Sequence, residues 1–69
     1  MEKEIIEMLK ERAFDFDNYE GVMAILDGKE KYLKKMRNYL IGHPQATRND
    51  IFLYAFKITN TEFDTFEIV

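Results

Sequence analysis

Catalysis needs positioned proton carriers, nucleophiles or metal ligands, and this chain offers few. It has one His and no Cys. The His lies in Gly42-His43-Pro44, directly after an apolar helical stretch. A cation there suits the negative end of a helix dipole, so a capping role accounts for His43 without catalysis. A general base also needs an orienting partner and a pocket. A chain of 69 residues can hardly enclose a substrate cavity of several hundred cubic ångströms and keep a core. The acid-rich run Asp15-Phe16-Asp17-Asn18-Tyr19-Glu20-Gly21 invites comparison with a calcium loop. An EF-hand loop opening at Asp15 needs an oxygen ligand at 19, Gly at 20 and Glu at 26, where this chain has Tyr19, Glu20 and Leu26. A capped turn between two helices explains the same residues. The three glycines, at 21, 28 and 42, are too scattered to cradle a phosphate. The expectation is a protein that is not an enzyme and carries no cofactor or metal.

The elements that position these residues follow from periodicity. Ile5, Met8, Leu9, Ala13 and Phe16 recur at steps of three and four, the mark of one apolar helical stripe. Glu2, Glu4 and Glu7 stand early and Lys10 and Arg12 late, as a helix dipole favours. The spacing predicts a helix over about 2–14. Three boxes follow: Asp17-Asn18-Tyr19-Glu20, Asp27-Gly28-Lys29-Glu30 and Thr47-Arg48-Asn49-Asp50. Each sets a capping side chain three residues before an acid, so that orphan backbone N–H groups find acceptors.

These boxes predict a helix near 18–26, with Tyr19, Val22, Met23 and Leu26 inward. Another is predicted near 28–41, with Tyr32 or Leu33, Met36, Tyr39 and Leu40 inward. Gly inside a helix costs only about 1 kcal/mol, so a single helix over 18–41 is a second reading. Gly42 and Pro44 stop the helix, with Gly read as the left-handed residue, and 42–46 is a loop. The segment Ile51–Ile58 is apolar all round. Thr47–Asp50 ahead of it favours a helix with Ile51, Ala55 and Ile58 on one side. The β-formers of 62–69, with a turn at Thr59-Asn60-Thr61, instead admit a terminal hairpin. The expected fold is all-α, a compact bundle of three to four short helices over residues 1–60 with an extended or frayed tail over 61–69. The alternative is α+β with a β-hairpin over 51–69.

Composition bounds the rest. With 46% hydrophobic and 14% aromatic residues the chain can build a core, and without Cys it must do so by packing alone. No basic, apolar leader opens the sequence, and no apolar run approaches the ~20 residues of a membrane span. A cytoplasmic setting is expected, with no membrane and no small-molecule substrate.

Charge is uneven. Residues 1–27 hold eight acids and three bases, 28–48 six bases and one acid, and 49–69 four acids and one base. Mutual neutralisation within the fold explains this; a basic patch for nucleic acid is the alternative. Ala24 and Gly28 match the Ala-x-x-x-Gly core of a helix-turn-helix, yet Asp27, Lys29 and Lys34 occupy positions that motif buries. A nucleic-acid reading therefore rests on phosphate contacts from Lys31, Lys34, Lys35, Arg37 and Arg48, against acidic flanks.

Six Phe, four Tyr and four Met are many large side chains for so short a chain. Surplus apolar surface becomes an interface. Phe52, Tyr54, Phe56, Phe63 and Phe66 are the expected interaction residues. The function they imply is an intracellular interaction or regulatory module that self-associates through an aromatic and aliphatic face. The alternative is a small nucleic-acid-binding regulator using 28–48.

Overall fold

The computed structural model describes residues 1–60. They form four helices: α1 (Glu2–Glu11), α2 (Phe16–Leu26), α3 (Glu30–Gly42) and α4 (Arg48–Thr59). No strand occurs among the described residues, so the hairpin alternative fails over 51–59; its remaining residues, 61–69, and the predicted tail lie outside the described residues. No helix among the described residues is long and apolar enough to cross a membrane.

Eleven buried residues make the core: Ile5 and Leu9 from α1, Phe14 from the first turn, Val22 and Leu26 from α2, Leu33, Met36 and Leu40 from α3, and Ile51, Ala55 and Ile58 from α4. Each helix thus contributes an i, i+4 pair of apolar residues, the spacing that stacks side chains on one face. The expected α4 stripe is the one observed. Met8, Tyr19, Met23, Tyr32 and Tyr39 pack around this core half-buried.

Where the helices end differs from the sequence reading, for physical reasons. The first helix stops at Glu11, three residues early. Ala13 adopts φ 66°, its N–H bonds the Lys10 carbonyl, and the Phe14 N–H bonds the Leu9 carbonyl at 3.1 Å. This is a Schellman ending with Ala where Gly is usual, and Phe14 tucks into the core beside Leu9. The turn therefore exposes Ala13 and Phe16, which the stripe had placed inside, and buries Phe14 instead. The second helix starts at Phe16, two residues before its predicted start at 18. Asp15, extended at φ −83° and ψ 178°, accepts the Asn18 N–H at 3.0 Å.

Asp27 does not open α3; it closes α2 in the left-handed conformation at φ 57°, followed by Gly28 at φ 66°. Two successive left-handed residues break the helix and exclude a single helix over 18–41. The third helix opens behind Lys29 with no side-chain cap. Thr47 and Asp50 form the predicted capping box, Asp50 N–H to Thr47 Oγ1 at 3.1 Å and Thr47 N–H to Asp50 Oδ2 at 3.0 Å.

Gly42 is not the left-handed stop. It is the last residue of α3, and His43 follows at φ −129° and ψ 70°. The carbonyls of this end are satisfied from elsewhere. Arg12 Nη1 donates to the His43 carbonyl at 2.8 Å, and Nη2 donates to the Leu40 carbonyl. A guanidinium at a helix C-terminus suits both the hydrogen bonds and the dipole. It also ties the end of α1 to the end of α3.

These ends generate paired expectations for denaturant unfolding. Ala13→Gly removes left-handed strain and raises stability by about 1 kcal/mol. Gly42→Ala, helical and with nothing near a new Cβ, raises it by about 0.5–1 kcal/mol. Gly28→Ala, at positive φ, lowers it. The opposite sign at Ala13 or Gly42 contradicts the assigned helix ends.

Candidate interaction surface

The fourth helix carries the aromatic residues singled out from the sequence, and its phase decides where each goes. With Ile51, Ala55 and Ile58 turned into the core, the side chains at 52 and 54 fall on its two flanks. Phe52 faces the α1–α2 turn and α2. Its ring stacks on Phe14 at 6.3 Å between centroids, and it covers Gly21 so closely that a Cβ there would come within 3.3 Å of Cε1 and Cζ.

Tyr54 faces α3. Its ring stacks on Tyr39 at 4.0 Å, Tyr39 stacks on His43 at 4.2 Å, and the Tyr54 hydroxyl reaches toward the Lys35 carbonyl at 3.5 Å. Both rings are half-buried and engaged by neighbours within the chain.

Phe56 behaves differently. It lies 49% exposed on the outer face of α4, and Leu53, one turn earlier, is 60% exposed. The two are neighbours at i, i+3, and exposed Asn49, Lys57 and Asn60 frame them. Phe63 and Phe66 lie outside the described residues. Leu53 escaped the sequence reading because that reading weighed rings above aliphatics. The signal was present, since position 53 is opposite Ile51, Ala55 and Ile58 on a helical wheel. Phe16, at 63% exposed, and Ile41, at 60%, are further apolar residues left outside.

The basic residues do not converge. Lys31, Lys34 and Lys35 stand on the exposed side of α3. Lys34 pairs with Glu30 at 3.4 Å, and Lys31 sits over its neighbour Tyr32 at 5.0 Å. Arg37 turns to α1, where its Nε lies 3.0 Å from Glu4 Oε1, an ion pair off the hydrogen-bonding axis. Arg48 turns to α2 and donates to Asn18 Oδ1 at 2.9 Å. Two of the five thus serve as ties between helices.

His43 acts as part of a helix end. Its Nδ1 lies 3.0 Å from the Tyr39 carbonyl, and its ring continues the Tyr39–Tyr54 stack. With Pro44, Gln45, Ala46 and Asp50 it lines an open concavity. The Asp50 carboxylate there is occupied by its own cap. Among the described residues no group of three His, Asp or Glu is placed to hold a metal, and no polar or charged residue is buried.

The ring stack has a pH signature. Burial first, and the neighbouring Tyr39 phenol second, raise the Tyr54 pKa above its ordinary 10.0. The unfolded chain ionises this phenol first, so the stability it contributes is complete below about pH 10 and is lost as pH rises beyond it. Tyr54→Phe should flatten the alkaline loss of stability and change little at neutral pH, because the 3.5 Å hydroxyl contact is long. Identical alkaline slopes for the two proteins would count against the buried stack.

No protein-family model, no curated protein and no solved structure matches this chain, so its function has to be argued from this surface.

Proposed function

We propose that the chain is a small, non-enzymatic interaction or regulatory protein that self-associates through the outer face of α4, with Leu53 and Phe56 at its centre. The carrying observation is their joint exposure, 60% and 49%, one turn apart on a helix whose other rings are packed. Removing such surface from water is worth roughly 25 cal/mol per Å², and nothing in the described fold covers it. A cytoplasmic setting, a protein partner and the absence of any cofactor belong to the same reading.

The runner-up reading, phosphate binding by the basic 28–48 segment, is less well supported. Arg37 and Arg48 hold helices together, Lys34 is paired, and the chain carries a net charge of −3.

Sedimentation equilibrium from micromolar to sub-millimolar concentration tests the proposal. The wild-type chain should associate reversibly, and the double variant Leu53→Ser with Phe56→Ser should be monomeric with unchanged helicity, since both positions lie outside the core. A strictly monomeric wild type, or association indifferent to the double variant, rejects it. DNA or RNA binding at low salt that Lys34→Glu with Lys35→Glu abolishes would favour the lysine face instead.

A further inference from the structure

We propose that the α4 face pairs with the same face of a second copy about a two-fold axis, and that charge orients the pair. Asp17 and Glu20 of each copy then face Lys35 and Lys57 of the other. The inference rests on the self-association reading above and names the groups that align it.

The order of the helices puts opposite charges on the two sides of α4. The fourth helix packs on α2 and on α3, with α1 behind them. On the α2 side, Asn18 accepts from Arg48 and Gly21 lies under Phe52, so these two residues turn toward α4. Asp17 and Ala24 stand one turn before and one turn after Gly21 and share its flank, and Glu20 lies one turn from each. All three are exposed, and α2 carries no Lys or Arg. This flank is acidic.

On the α3 side the sign reverses. Tyr54 turns toward α3, where it stacks on Tyr39 and its hydroxyl approaches the Lys35 carbonyl. Lys57 stands one turn after Tyr54, and Lys35 one turn before Tyr39, so both belong to this flank, and both are exposed. Among the described residues, ion pairs join Lys10, Lys34 and Arg37 to Glu7, Glu30 and Glu4. Asp17, Glu20, Lys35 and Lys57 take part in none of these. Arg48 and Asp50, the charges that open α4, are held by Asn18 and by the capping box.

An apolar stripe with acids on one side and lysines on the other is complementary to itself. A two-fold rotation brings the acidic flank of one copy against the basic flank of the next, and the stripe against itself. A partner of single sign would match one flank and be repelled by the other. Area points the same way. Large aromatic side chains bury about 150–250 Å² each, so Leu53 and Phe56 alone fall short of the roughly 800 Å² that a stable interface takes from each partner. Helix axes pack about 8–10 Å apart, so a contact that includes both flanks is wide enough to supply the rest.

Charge reversal tests the pairing by sedimentation equilibrium. Lys35→Glu with Lys57→Glu makes both flanks acidic, and Asp17→Lys with Glu20→Lys makes both basic. Each variant should self-associate about tenfold or more weakly than wild type, with unchanged helicity, because like charges then meet. An equimolar mixture of the two should form a one-to-one complex at least as tight as the wild-type pair, weakened by added salt. Lys3→Glu with Lys10→Glu makes the same change in net charge on α1, across the bundle from α4. That control should keep wild-type self-association and should not rescue the basic variant. Unchanged self-association of both flank variants, or a mixture no tighter than its components, overturns the inference. So does a control that behaves as the acidic flank variant does. If Leu53→Ser with Phe56→Ser abolishes association while the flank variants leave it intact, the charge pairing falls and self-association through α4 stands. A wild-type chain that stays monomeric rejects both.

Discussion

Everything in this fold is arranged around the small volume that four short helices can enclose. Among the described residues the interior holds eleven, of which one, Phe14, is a ring and none is polar or charged. Close-packed interiors tolerate neither voids nor excess. Aliphatic side chains on each helix satisfy that limit, and the other rings among the described residues lie at the seams or on the surface. Phe52 fills the seam between α4 and α2, where Gly21 leaves room for it. Tyr39 and Tyr54 fill the seam between α4 and α3 as a stacked pair. Phe16 and Phe56 find no seam.

The seams differ in how they are held. The α1–α3 contact is clamped by charge at both ends, with Glu4 against Arg37 and Arg12 against the last carbonyls of α3. The α2–α4 contact is a close approach over a glycine, with Arg48 to Asn18 at its margin. Most of the middle-segment positive charge that a sequence displays as a block is spent in different directions once folded. This is why a run of bases counts as a patch only when its tertiary partners are known.

Helix content and the α4 stripe were legible because they depend on local signals: the Thr47–Asp50 box, the 51/55/58 spacing and Pro44 after α3. The end of α1, the start of α2 and the turn devices around α3 were not, although the end of α2 at Leu26 was. Ala13 in a left-handed turn has no compositional flag, so the stripe ran on to Phe16 and missed Phe14. Asp27 suits either a helix start or a left-handed end, and only the chain direction at Gly28 separates the two. Gly42 looked like a stop because the device that closes α3, Arg12, lies thirty residues earlier in sequence. Of the surface site, Phe56 was named from composition, whereas Leu53 required the helical phase of α4. Phe52 and Tyr54 could be assigned to seams only once α2 and α3 were in place.

Leu53 and Phe56 are the two large apolar side chains that α4 leaves exposed. They lie on the outer side of α4, away from its seams with α2 and α3, with exposed Asn49, Lys57 and Asn60 around them. Under the proposed function, that face is covered by another molecule of the chain. The most direct check is an isotope-filtered NOE spectrum on a mixture of ¹³C-enriched and unlabelled chain, which detects only contacts between copies. The account predicts cross-peaks from the Leu53 methyls and the Phe56 ring to the other copy. A spectrum in which those groups show contacts within their own chain alone, at concentrations where association would be complete, contradicts it.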